Sequence, residues 1–145
     1  MEKRASEEGD VEQTLRAHGF RVTTSRVHLL HLLERANTPL SIQKIHSLWK
    51  GKGPDITTLY RSLTDLSGAG IVRRFDLNTG TAHFEYSPNR PHHHHLICND
   101  CGKVEELEHC SLEGFEKKVL HGSKQFKSIH SHNLEFFGTC TVCAH

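Results

Sequence analysis

Apolar positions in the first half of the chain recur every three or four residues, the period of helices that bury one face. Val11, Leu15 and His18 share a side before Gly19, a natural stop for a first helix. With Thr23 or Thr24 as N-cap, Leu29, Leu32, Leu33 and Ala36 form the stripe of a second helix. Ser41 caps a third, with Ile42, Ile45 and Trp49 on one side. A fourth opens at Pro54 and Asp55, with Asp55 as N-cap, and closes at Gly68 or Gly70; Leu59, Leu63 and Leu66 are its buried side. The opposite side reads Thr57, Tyr60, Arg61 and Thr64. There an aromatic and a basic donor project with small hydroxyls, where a merely solvated helix would more often carry Glu and Lys pairs.

The period then changes to that of strands. Ile71 to Phe75 and Thr81 to Tyr86 have β character and are separated by the turn formers Asp76, Asn78 and Gly80. Helices followed by such a hairpin predict a winged helix, whose last helix enters the DNA major groove. Pro88 and Pro91 interrupt the chain, so the expected domains are 1–88 and 89–145. Beyond the boundary Leu96 to Cys98 and Lys103 to Leu107 are predicted strands. Ser111 caps a helix bearing Leu112, Phe115 and Val119, and Phe126 to Phe137 reads as one long strand. The fold class is therefore α+β, an N-terminal winged helix-turn-helix followed by a small α/β domain. That second domain buries little and is expected to lean on metal and on a partner chain.

Charge sharpens the division. From Gln13 to His83 ten Lys/Arg face four acids, whereas the whole chain carries only +1. A basic half joined to an acidic one suits a nucleic-acid-facing module attached to one with another task. No apolar run has the length of a membrane span and no signal peptide is legible at the N-terminus, so a cytoplasmic protein is expected.

Five cysteines without a secretory signal point to metal or redox use rather than to a disulfide framework. Cys98-x-x-Cys101 pairs with Cys140-x-x-Cys143, two knuckles that can converge on one tetrahedral zinc. Four thiolates leave no open coordination position, so such a zinc is structural. His92 to His95 form a second cluster; in an extended chain His92 and His94 point one way, His93 and His95 the other, and one stretch can feed two sites. Glu85 and His132 are plausible completing ligands, and imidazole with carboxylate suits Zn²⁺, Fe²⁺, Mn²⁺ or Ni²⁺. Cys110, beside His109, stands outside both knuckles and reads as a partly buried helix-start thiol.

The run from His92 through Cys98, Asn99, Asp100, Cys101 and Gly102 to Val104 resembles the signature of the ferric uptake regulator family. Thr58-Leu59-Tyr60-Arg61-Ser62-Leu63 resembles its recognition helix, and the likeness extends from about Leu15 to Cys143. It implies a homodimeric, metal-dependent regulator, chiefly a repressor, of metal-homeostasis or oxidative-stress genes that binds inverted-repeat operators in double-stranded DNA. By position, Tyr60 and Arg61 would touch DNA, and Arg21 and Arg26 would approach phosphate or the minor groove. Cys98, Cys101, Cys140 and Cys143 match the structural zinc ligands. Glu85, His93 and His95 match a regulatory site for Fe²⁺, Zn²⁺ or Mn²⁺, and His92, His94, Glu113 and His132 match a further one. One departure stands out: the histidine that many members place just before the third helix is missing from Asn37-Thr38-Pro39-Leu40-Ser41. His83, His46 or His18 is a candidate substitute, as is water.

Two rival classes remain. His83-Phe84-Glu85 spells the H-x-E of zinc deaminases, but no proline precedes Cys98 or Cys140 and a winged helix has no role there, so no enzyme is expected. A zinc-stabilised adaptor or metal store that never reads DNA is the other.

Overall fold

Hydroxyl and carboxylate side chains stand where helices need their first N–H groups satisfied, and they start three of the helices in this chain. The computed structural model describes residues 3–36, 38–49, 51–76, 80–88, 90, 92–108, 113–130, 132 and 134–144, with the side chains of 3–9 and of Glu113 outside that description. The chain divides into two compact units, Met1–Arg90 and Pro91–His145.

In the first unit α1 (Lys3–Ala17) ends just before Gly19, which takes a left-handed φ of 76°. At the start of α2 (Thr24–Arg35) the Thr23 hydroxyl accepts the Arg26 N–H at 3.3 Å. After the short strand β1 (Leu40–Ser41), Ser41 caps α3 (Ile42–Leu48) by accepting from the Lys44 N–H at 3.1 Å. Asp55 does the same for α4 (Ile56–Gly68), and Gly70, again at positive φ, turns the chain out of it. Val11, Leu15, Leu29, Leu30, Leu33, Ile42, Ile45, Leu59, Leu63 and Leu66 close into one core. Each such leucine contributes about 1.5–3 kcal/mol on burial, so this unit has a hydrophobic core of its own.

Two expectations about these helices need correction. Leu30, not Leu32, is fully buried on α2, and Ala36 is the C-cap rather than part of the stripe. His18 lies beyond the last turn of α1, is exposed, and its Nδ1 donates back to the Thr14 carbonyl at 2.8 Å.

Strands β2 (Val72–Asp76) and β3 (Ala82–Tyr86) pair antiparallel, Arg74 opposite Phe84 and Arg73 opposite Glu85. The other edge of β3 takes β1, with Leu40 opposite Phe84, giving the order β1-β3-β2. A two-residue strand has no periodicity to read, which is why the sequence did not announce it. Phe84 and Tyr86 enter the helical core, where β3 packs on α2 and α3 while β2 packs on α4.

In the second unit β4 (His94–Cys98) is central, with β5 (Val104–Leu107) antiparallel on one side and β6 (Glu135–Gly138) parallel on the other. The helix α5 (Glu113–His121) presents Phe115 and Val119 at 54% and 50% exposure, so its apolar side is uncovered within one chain. The expected cap Ser111 and its neighbours His109, Cys110 and Leu112 lie outside the described residues. The long strand expected from Phe126 to Phe137 does not form: β6 begins only at Glu135, where β4 offers a partner. Upstream, the Ser123 hydroxyl accepts the N–H groups of Gln125 and Phe126 at 3.3 and 3.1 Å, using donors that a ladder would need. His132 therefore sits in irregular chain, not on a strand.

Candidate metal centres and nucleic-acid face

Because β4 and β6 run parallel with Cys98 opposite Gly138, the turns that follow the two strands lie side by side. The first is closed by the Gly102 N–H donating to the Cys98 carbonyl at 2.9 Å, with Gly102 at a φ of 72° that a side chain would strain. The second is closed by the Cys143 N–H on the Cys140 carbonyl at 3.0 Å. All four sulfurs lie within 4.8 Å of one another without a disulfide, and Cys101 Sγ is 3.7 Å from Cys140 Sγ. Zinc–sulfur bonds of about 2.3 Å in a tetrahedron require sulfur edges of about 3.8 Å, so the donor set and its spacing fit zinc.

The thiols are not equivalent. The Cys140 N–H, 3.3 Å from Cys98 Sγ, together with the Cys101 N–H, holds the Cys98 thiol down to about 6. Cys143, sharing its proton with the sulfurs of Cys140 and Cys101, is pushed up to about 12. Cys140, which accepts from the Cys143 N–H, is lowered as well, whereas Cys101 is raised like Cys143, so two sulfurs ionise readily and two resist; a dication is what lets all four ionise together.

The histidine run feeds two places. The Nε2 atoms of His92, His94 and His132 converge, 3.2 Å between His92 and His94, 2.8 Å between His92 and His132, and 3.2 Å between His94 and His132. His132 Nδ1 meets the carboxylate of Glu116 on α5, a residue the sequence reading missed. The Glu113 side chain, expected as a ligand here, lies outside the described residues. His93 and His95 leave by the other side of the chain, are buried, and face each other with ring centroids 5.1 Å apart. Glu106, opposite His95 on β5, brings a carboxylate oxygen to 3.6 Å from His93 Nδ1. It too was missed, because only strand pairing brings it to the histidines.

In the first unit Glu85 on β3 is only 3% exposed and is ion-paired with Arg90. His83, two residues earlier, donates from Nδ1 to the Thr81 carbonyl at 2.9 Å and keeps Nε2 as its remaining ring nitrogen. His46 is exposed on α3.

The α4 surface opposite the core exposes Thr57, Tyr60, Arg61 and Thr64 together. Thr64 Oγ1 donates to the Tyr60 carbonyl at 2.8 Å, so it is tied to its own helix. Arg74 of β2, absent from the sequence-based candidates, donates to the Tyr60 hydroxyl at 3.3 Å and places its guanidinium 6.0 Å from the ring centre. Arg26 is likewise engaged, donating to the Arg21 carbonyl at 3.0 Å with its guanidinium 5.3 Å from the Phe20 ring, while Arg21 is exposed.

Asp55 sets the start of this helix, accepting the Thr58 N–H and the Thr58 hydroxyl, both at 2.9 Å. The Thr58 N–H, reinforced by that hydroxyl, holds the Asp55 carboxyl below the ordinary carboxylate range. A depressed acid stabilises the fold above its unfolded-state value, and the contribution is lost as pH falls through the lowered value. Thermal melts of wild type and Asp55→Ala should therefore differ at neutral pH and converge in acid, whereas Asp55→Asn, a cap without a charge, should keep a pH-independent offset from Asp55→Ala.

The profile of the ferric uptake regulator family matches residues 17–137. The chain is 34% identical over 134 residues to the ferric uptake regulation protein of Legionella pneumophila, covering 90% of this chain and 96% of that one. Among solved structures, the ferric uptake regulator of Vibrio cholerae superposes with a TM-score of 0.73 at 30% identity, over 88% of this chain and 98% of the other. That of Helicobacter pylori, described with three functional metal binding sites, gives 0.77 at 26% identity over 97% and 93%. With a profile match across most of its length, and a winged helix preceding a four-cysteine cluster, the chain belongs to the ferric uptake regulator family.

Proposed function

We propose that this chain is a metal-dependent transcriptional repressor that binds an inverted-repeat operator in double-stranded DNA as a cytoplasmic homodimer. The observation that carries the reading is the face of α4 opposite its buried Leu59, Leu63 and Leu66, where Tyr60 and Arg61 stand exposed beside the β2–β3 hairpin. In that geometry Arg61 reaches guanine or phosphate, Tyr60 packs on a thymine methyl, and Arg21 and Arg26 add backbone contacts. Thr57 and Thr64 border the same face. Apolar side chains left open on the second unit, Phe115, Val119, Phe126, Phe136 and Phe137, support pairing through that unit.

Cys98, Cys101, Cys140 and Cys143 hold the structural zinc. Glu85, His93 and His95, with His83 as a further ligand, hold the regulatory Fe²⁺, Zn²⁺ or Mn²⁺, and His92, His94 and His132, with Glu113, form the additional site. A bound dication supplies the charge that lets buried carboxylate and imidazole donors share one point. Glu85 precedes the proline-bounded junction and His93 follows it, so joint ligation selects among orientations of the winged helices, and DNA binding selects the same population.

Fluorescence anisotropy with a duplex selected from a random pool tests this. Adding Fe²⁺, Zn²⁺ or Mn²⁺ should raise affinity by about 5–150-fold, the usual range of allosteric coupling, and a chelator should reverse it. Affinity indifferent to all three metals would end the metal-gating reading.

A further inference from the structure

Tyr60 and Arg74 meet because each stands at the rim of the same core. Tyr60 follows the buried Leu59 on α4. Arg74 shares a face of the hairpin with Val72, Phe84 and Tyr86, all three buried among the helices, so its guanidinium emerges where that face ends. There Nη1 lies 3.3 Å from the Tyr60 hydroxyl and Cζ 6.0 Å from the ring centre. A guanidinium has donors and no acceptor, so the phenolic oxygen accepts and the phenolic proton is left to be donated elsewhere. Among the described residues no other group bonds to this hydroxyl, and Thr64, one turn on, gives its own proton to the Tyr60 carbonyl instead. With Tyr60 42% exposed, the phenolic donor is available on the surface that also presents Arg61.

We propose that Arg74 is a positioning residue for DNA recognition: by making the Tyr60 oxygen its acceptor, it aims the phenolic proton at a hydrogen-bond acceptor of the duplex. The inference rests on the reading of the α4 face as the surface that meets DNA. An unrestrained tyrosine on a helix surface gives up rotamer freedom when it binds, whereas the hydrogen bond and the ring contact order this one beforehand. The bond also joins β2 to α4, so the hairpin and the helix present their groups in one register. Arg74 therefore acts through Tyr60 and needs no contact of its own with the duplex. The acceptor is a phosphate oxygen or a base edge in the major groove, either of which takes an O–H donor.

The test is a double-substitution cycle on the full chain, reading anisotropy with the selected duplex under the metal condition that gives wild type its highest affinity. Tyr60→Phe and Arg74→Ala should each weaken binding by about 3–10-fold per half-site, the net worth of one hydrogen bond. The double variant should be no more than about 2-fold weaker than the more affected single one, because two residues acting through one bond do not add. Arg74→Gln, an uncharged donor to the same hydroxyl, should recover most of what Arg74→Ala loses, and all variants should melt with wild type because both side chains are exposed. Losses that multiply in the double variant, or a glutamine variant as weak as the alanine one, make Arg74 a separate charge and overturn the proposal. So does a loss confined to variants that melt early. Arg61→Ala, run alongside, separates the two failures: if it weakens binding while the proposal fails, the α4 face still reads DNA; if it changes nothing, that reading falls first. Repeating the duplex selection with Tyr60→Phe identifies the acceptor, since preference relaxed at one position marks a base and preference unchanged marks a phosphate.

Discussion

Replacing Cys101 with serine is expected to strip the structural zinc from the chain and unfold the second unit while the first still melts cooperatively. Cys101 is exposed, unlike Cys98, so its loss removes a ligand without opening a cavity. Serine does not ionise at neutral pH, and three thiolates with a weak oxygen hold zinc poorly. The consequence is large because metal affinity in such domains is folding free energy, about 10–16 kcal/mol for zinc-finger peptides. Three short strands and one helix with an uncovered apolar side have little else to close them. The first unit, by contrast, buries leucines and isoleucines from four helices in a core that involves no cysteine. Metal analysis should read loss of one zinc per chain, circular dichroism should lose the strand contribution, and sedimentation should report monomer. A Cys101→Ser protein that keeps its zinc and its melting profile would remove the structural role assigned to the cluster.

The second large effect is on DNA. Arg61→Ala should lower operator affinity by about 1–3 kcal/mol for each half-site, the usual worth of a specific arginine contact. A homodimer would lose it twice. The melting temperature should barely move, because Arg61 is exposed on α4. The salt dependence decides what Arg61 touches: a phosphate contact lowers the slope of log affinity against log salt by about 1 per contact, whereas a base contact leaves it unchanged and relaxes sequence preference. Tyr60→Phe is the subtler companion, because it removes the hydroxyl that Arg74 holds while keeping the ring. If Arg61→Ala binds the selected duplex as tightly as wild type, the chain is better described as an adaptor than as a reader of DNA.

Features set by neighbours in sequence were the legible ones. Asp55, followed three residues on by the Thr58 N–H it accepts, marks a helix start in any context. Leu59, Leu63 and Leu66 share a side of α4 because the helical period puts them there, and all three are buried. The two cysteine knuckles carry their own turn chemistry, Gly102 included, so their convergence needed only a sheet to bring them together. The histidine alternation followed from extended backbone alone.

The residues missed were those delivered by distant segments. Glu116 reaches His132 across a helix and an irregular stretch, Glu106 reaches His93 through strand pairing, and Arg74 reaches Tyr60 from the hairpin. The strand expected up to Phe137 failed for the same reason. Apolar alternation in 126–137 is compatible with a strand, but a strand exists only where a partner supplies hydrogen bonds, and β4 supplies them to Glu135–Gly138 alone.

What the sequence by itself determined was therefore most of the elements, the caps that begin α2, α3 and α4, the polar face of α4 and the donor types at each candidate metal site. Tertiary structure alone decided which carboxylates attend which imidazoles, where β6 begins and which arginine steadies Tyr60. Helix period and turn chemistry act over three or four residues and are written locally, whereas pairing partners are fixed by a chain that has already closed on itself.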